Sequence, residues 1–170
     1  KASLKVEVSG GLIDIVGIAE NNDNIFQGDL ELDINNNIRG VSGVHSRSAI
    51  SVELGASEPF TQGDIRYKPE TLIPPNPGPQ DYYRSKIQVY ATIYDAQGNS
   101  ILAWRTKSSR STFFPDDWPQ EKVQAEIAYG FQNKQYIRTN SSNGADIYHG
   151  TMSDGTTVEI VMENGVMVSA

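Results

Sequence analysis

The chain contains no cysteine, which excludes disulfides and thiolate metal ligands and leaves either redox compartment open. No apolar run approaches the roughly 18 residues of a membrane span, so none is expected. The first residues, KASLKVEVSGG, lack the apolar core of a secretory signal, and any targeting information is expected to have been removed or to lie on a larger parent chain. Internal repeats and low-complexity tracts are also missing. Histidine is scarce, with two in 170 residues. It is the one side chain whose unperturbed pKa lies near neutrality, so proton-transfer chemistry has few places to sit. Basic residues are outnumbered, 14 against 21 acids, for a net charge of −7. That balance argues mildly against a nucleic-acid partner, because phosphate affinity is largely cationic.

The cations that are present are unevenly placed. Residues 1–33 hold seven acids and two lysines, whereas nine of the 14 basic residues fall between Arg39 and Arg110. The segment RTKSSRST, residues 105–112, has three cations and no acid. This pattern describes a local anion site on an acidic body. The acidic remainder suits a cationic or purpose-built protein partner.

At 170 residues, 38% hydrophobic, with 15 Gly and 8 Pro, the chain is long enough for one domain or two small lobes sharing a core. GLIDIVGIA has the composition of a strand, broken at Gly17. IFQGDLELDI sets Phe26, Leu30, Leu32 and Ile34 against polar neighbours, which predicts a strand bent at Gly28. AISVELG fits a short strand or a helical turn equally. LIPPNPGPQ places four prolines in nine residues; proline fixes φ and removes a donor, so a rigid connection is expected at about 73–80. It would divide an N-terminal lobe of about 1–72 from a C-terminal lobe of about 81–170. SKIQVYATIYD and SILAWRTK flank the turn AQGN and predict a hairpin. A helix is predicted over about 119–133, capped by Asp116 or Asp117 with Pro119 in its first turn and Val123, Ile127 and Phe131 on its buried stripe. SDG and ENG then separate the last strands. The fold class is α+β, mostly antiparallel, with at least one amphipathic helix.

The chemistry centres on GVHSRSAI and His45. Gly40 and Gly43 let the backbone bend beside it, and Arg47 follows. A histidine so placed can serve as an acid or base, or can simply hydrogen-bond a loop. Lys107 can be an ordinary lysine at a strand end, and Lys86 on the partner strand competes with it for a catalytic role. Ser111 and Thr112 can face a substrate or cap a turn. Arg105 and Arg110 fit solvated cations or phosphate contacts. Trp104, Trp118, Phe113 and Phe114 fit a core, and Tyr82 and Tyr83 fit packing better than base stacking.

Four stretches occur in a telling order: NIFQGD at 24–29, GVHS at 43–46, KSSRSTFFPDDW at 107–118, and DGTTVEIVMENGVMVSA at the end. Together, over roughly residues 20–170, they resemble the EndoU superfamily of endoribonucleases. The likeness is to the toxin-domain type found at the C-termini of contact-dependent growth inhibition and similar polymorphic toxins. The resemblance implies an EndoU-like two-lobed fold and metal-independent RNA cleavage without a cofactor. A ribose 2′-hydroxyl attacks the adjacent phosphate, leaving a 2′,3′-cyclic phosphate and a 5′-hydroxyl. It implies His45 and Lys107 as catalytic residues, with Asn24 at the position of the family's first histidine. Ser46, Arg47, Arg110, Ser111 and Thr112 become substrate-binding residues, and there is no metal site. Implied partners are RNA, tRNA or another structured RNA, and a cognate immunity protein in a one-to-one complex with a monomeric toxin domain. The implied setting is export on a larger secreted or cell-surface effector and action in the cytoplasm of the target bacterium.

The sequence departs from that pattern in two places. Asn24 cannot exchange protons, whether it is natural or substituted, unless His149 serves instead. The family's tyrosine-proline pair, with its base-stacking ring, is not found before Ala170. A second expectation therefore stands beside the nuclease: a non-catalytic RNA- or protein-binding module on the same fold.

Overall fold

A computed structural model describes residues 5–8, 11–14 and 25–169, with 5–8, 11–14, 168 and 169 described by backbone alone. In chain order the strands are β1 (Lys5–Val8), β2 (Gly11–Asp14), β3 (Asp29–Leu32), β4 (Ile38–Ser42), β5 (Ile65–Tyr67), β6 (Tyr83–Ser85), β7 (Ile87–Tyr94), β8 (Ser100–Thr106) and β9 (Ser111–Phe113). Helix α1 (Gln120–Gln132) follows, then β10 (Gln135–Thr139), β11 (Asp146–Thr151), β12 (Thr157–Glu163) and β13 (Val166–Ser169). Every pairing of these strands is antiparallel, and the fold class is α+β.

The chain forms two compact units, Phe26–Asp117 and Lys1–Ile25 with Trp118–Ala170. The division does not fall at the proline-rich run 73–80. Those prolines lie inside the Phe26–Asp117 unit, where Ile73 bridges Arg84 and the Pro79 carbonyl accepts from the Asp117 N–H. Prolines remove donors but keep their carbonyls, so a rigid segment can pack back onto its own unit.

The Phe26–Asp117 unit carries the predicted hairpin. In β7, Ile87, Val89 and Ala91 are buried and alternate with half-buried Gln88 and Tyr90, the period-two pattern of a strand with one core face. The Asp95 carboxylate takes the Gln97 and Asn99 N–H groups and closes the turn into β8. Sheet order is β5-β7-β8, with two-stranded β3-β4 and β6-β9 beside it. Their core joins Val41, Val44, Ile65, Tyr67, Tyr83, Ile87, Val89 and Phe113. Tyr83 stacks on Phe113 with ring centroids 4.9 Å apart, as the packing reading expected.

The predicted strand through Phe26 is shorter. Ile25 and Phe26 have helical backbone and are buried, and β3 begins only at Asp29. Leu30, Leu32 and Ile34 are exposed, because no described layer covers that face of the two-stranded β3-β4 pair. Alternation reports amphipathic character, not the presence of a partner. AISVELG resolves into a 3-10 turn, Arg47–Ala49, and irregular chain.

In the other unit α1 lies against β11 and β12, within the four-stranded order β10-β11-β12-β13. Val123 and Ile127 are buried as the helical stripe predicts; Phe131 is only half-buried. Pro119 is the N-cap, with no side-chain cap bond, so Asp116 and Asp117 are not helix caps. The Asp116 carboxylate instead accepts from the Tyr83 hydroxyl at 2.6 Å. Trp104 and Trp118, expected in a core, are half-buried and stack under Arg66 and Lys122. Among the described residues no helix is long and apolar enough to cross a membrane.

Candidate active site

Residues from three sequence stretches meet inside the Phe26–Asp117 unit. Gly43 and Val44 both have left-handed backbone, with φ of 73° and 72°. Glycine adopts that conformation freely, but a β-branched residue does so at a cost of about 1–3 kcal/mol. Val44 is fully buried among core residues, and burying such a side chain contributes roughly 1.5–3 kcal/mol. Packing thus offsets the strain and fixes the backbone immediately before His45.

His45 is held at two points. Its Nδ1 lies 2.8 Å from the Thr112 carbonyl oxygen, and its own carbonyl accepts from the Phe114 N–H at 2.9 Å. A carbonyl can only accept, so Nδ1 carries the proton. In the neutral ring Nε2 is then the free base. Burial pushes the His45 pKa below its ordinary 6.5; the Thr112 bond opposes this and the nearby Lys107 cation adds to it. The neutral, proton-accepting form therefore prevails at neutral pH.

Lys107 follows β8 and extends the ladder by one bond, its N–H donating to the Ile87 carbonyl at 2.8 Å. Its Nζ donates to the Ser111 Oγ at 3.0 Å, and Ser111 donates to the Gly43 carbonyl at 3.2 Å. Ser111 is 1% exposed, so one hydroxyl ties the lysine to the histidine loop. Burial lowers the Lys107 pKa. An ammonium has three donors, and one is spent on Ser111. Lys86 lies elsewhere, its backbone N–H on the Thr71 hydroxyl and its carbonyl accepting from Lys68.

The remaining candidates are placed less directly. Thr112 contributes its carbonyl to His45 while its side chain is exposed, following the alternation of β9. Ser46 caps the 3-10 turn, accepting from the Ser48 N–H and hydroxyl. Arg47 is committed to Glu53, with both carboxylate oxygens 2.9 Å from one guanidinium nitrogen. The Arg110 Nε reaches the Thr71 carbonyl at 3.4 Å. His149 belongs to the other unit and faces Glu159 across β11 and β12 at 3.3 Å. Asn24 lies outside the described residues.

Sequence reasoning missed a buried hydroxyl chain. The Tyr67 and Tyr83 hydroxyls are 2.6 Å apart, and Tyr83 donates to Asp116. Burial first, then the Asp116 carboxylate and Tyr67, push the Tyr83 pKa far above the ordinary tyrosine range, so it stays a donor. Arg47 interacts electrostatically with Tyr67 at the other end. No local signal could have paired residues so far apart in the chain.

Among the described residues no group of three or more His, Asp or Glu side chains converges as metal ligands. The family model described as bacterial EndoU nuclease matches residues 19–170. No curated protein and no solved structure matches the chain.

Proposed function

The chain belongs to the bacterial EndoU nuclease family, and on that premise we propose that it is a metal-independent endoribonuclease acting as an antibacterial toxin domain. The reaction is transesterification within RNA. It needs a base on the ribose 2′-oxygen, an acid on the departing 5′-oxygen and a cation on the phosphorane. The observation that carries this reading is the Lys107–Ser111–Gly43 link beside a His45 whose Nδ1–H is fixed on Thr112.

In this reading the 2′-hydroxyl gives its proton to His45 Nε2, and its oxygen forms the new bond to phosphorus. The bond to the 5′-oxygen breaks, and that oxygen takes a proton from the group at position 24 or from water. Two free Lys107 donors neutralise the non-bridging oxygens as charge builds. Asn24 cannot supply the proton, so this chain is slower than an Asn24→His variant by roughly 10²–10⁴-fold. The substrate is tRNA or another structured RNA, positioned by Arg110 and Thr112, while Ser46 and Arg47 hold the turn after His45. A cognate immunity protein binds one-to-one, and delivery is on a larger exported effector into the cytoplasm of a target bacterium.

Asn24 also favours a second reading, a non-catalytic binding module. Incubation with total RNA, with and without Asn24→His, separates the two. Cleavage that appears with histidine supports the enzyme; folded protein that binds RNA and leaves it intact in both forms supports the module.

A further inference from the structure

Beside Lys107 the Phe26–Asp117 unit opens into a cavity of about 290 Å³, with Glu31, Gly40, Val89, Arg105 and Ser109 in its lining. Binding pockets for small molecules run from about 300 to 1,000 Å³, so this one suits a single nucleotide. Val41 and Val89 are core residues at its floor, and Glu31, Arg105 and Lys107 give its wall charge. Lys107 makes its bond to Ser111. The Glu31 carboxylate and the Arg105 guanidinium make no hydrogen bond or ion pair among the described residues. Two opposite charges line one cavity without using each other.

Glu31 is placed there by its partner in the ladder. It stands opposite Gly40 across β3 and β4, and a Cβ at position 40 would lie 2.9 Å from its Oε2. The bare glycine leaves room for the carboxylate to lie across β4. Gly40 does not have left-handed backbone; a side chain here would displace the Glu31 carboxylate and not the backbone.

We propose that this cavity is a subsite for a nucleobase next to the scissile phosphate, and that Glu31 selects bases carrying an exocyclic amine. The proposal rests on the endoribonuclease reading of the neighbouring lysine. An ionised carboxylate only accepts. It therefore takes amine donors, and it repels the carbonyl edge of uracil. Guanine fits best, since its N1–H and N2–H₂ present two adjacent donors to two carboxylate oxygens. Such an edge is open in single-stranded or looped RNA. Arg105, on the same cavity, holds a backbone phosphate and keeps the RNA near Glu31 despite its charge.

The test uses oligouridylate hexamers made with 2′-deoxy sugars, which cannot be cleaved by this chemistry. Each carries one guanosine or one inosine, which lacks the N2 amine, at each position in turn. Fluorescence polarisation reads affinity, so Asn24 does not limit the result. At one position guanosine binds about tenfold tighter than inosine, the scale of one hydrogen bond to a charged acceptor. Glu31→Ala abolishes that ratio and raises affinity for the inosine hexamer by relieving repulsion. Gly40→Ala weakens the ratio while keeping the charge. Arg105→Ala lowers all affinities alike and reduces the salt slope by about one. Equal guanosine and inosine affinity in the parent, or a preference that survives Glu31→Ala, overturns the subsite and leaves the nuclease reading intact. A parent that binds no hexamer overturns the subsite, while the nuclease reading is decided by cleavage of RNA.

Discussion

Ser111→Ala removes a single oxygen and two hydrogen bonds. That oxygen accepts from Lys107 at 3.0 Å and donates to the Gly43 carbonyl at 3.2 Å. The site is 1% exposed, so water replaces neither bond easily. Losing the donor to Gly43 costs about 1 kcal/mol, as for an ordinary intramolecular bond. The Lys107 bond is charge-assisted, but the ammonium is half-buried and keeps two donors for water, so its loss adds about 0.5–1 kcal/mol. The total is about 1.5–2 kcal/mol, which lowers Tm by roughly 3–8 °C for a chain of this size. The catalytic effect is larger than the stability effect. Lys107 and the His45 loop lose their common tether, and misplacement on the ångström scale costs about 10²-fold. Thermal and urea unfolding read the first effect; turnover in the Asn24→His background reads the second. Stability within about 0.3 kcal/mol of the parent, with turnover unchanged, would refute the claim that this hydroxyl organises the site.

Other consequences follow from the same geometry. Lys107→Ala cuts turnover by about 10² or more without loss of fold, while Lys86→Ala, whose partners lie elsewhere, changes it little; the opposite ranking moves the cation to the other strand. His45 has a folded pKa below its ordinary 6.5, because of burial first and the Lys107 cation last. The unfolded chain therefore takes up that proton more readily, and stability falls as pH drops through about 6.5, levelling off below the folded pKa. Urea unfolding at pH 5 and 7.5 shows this slope, and His45→Gln flattens it. Since the ring has only one other histidine in the chain to be confused with, proton NMR tracks the titration itself; a midpoint above 6.5 contradicts the burial argument. For the proposed immunity protein, joint substitution of Arg105, Lys107 and Arg110 slows association and weakens its dependence on ionic strength. Unchanged affinity and salt response mean that the inhibitor binds away from these cations.

Much of this was legible in the sequence for identifiable reasons. The β7–β8 hairpin and α1 announce themselves by period and by turn chemistry, which are local properties. The cation-rich stretch 105–112 marked the lysine and the hydroxyls that meet the histidine loop. What escaped was set by tertiary structure. Nothing local says that Leu30 and Leu32 lack a covering layer, that Asp116 serves Tyr83 instead of a helix, or that 73–80 packs within one unit. Arg47 has the composition of a phosphate ligand, yet its partner six residues on, Glu53, is visible only once the intervening chain turns. Glu31 carried no motif. Its interest arises from a cross-strand glycine, and register is not readable from one strand alone.

The central claim is that His45 and Lys107 form a centre for attack by a ribose 2′-hydroxyl. The most direct measurement incubates the Asn24→His variant with one RNA oligonucleotide and with the same oligonucleotide bearing a single 2′-deoxy sugar at the cleaved position. The account predicts a product ending in a 2′,3′-cyclic phosphate from the first and no cut at that position in the second. Cleavage of both, or a product ending in a 3′-hydroxyl, would contradict it.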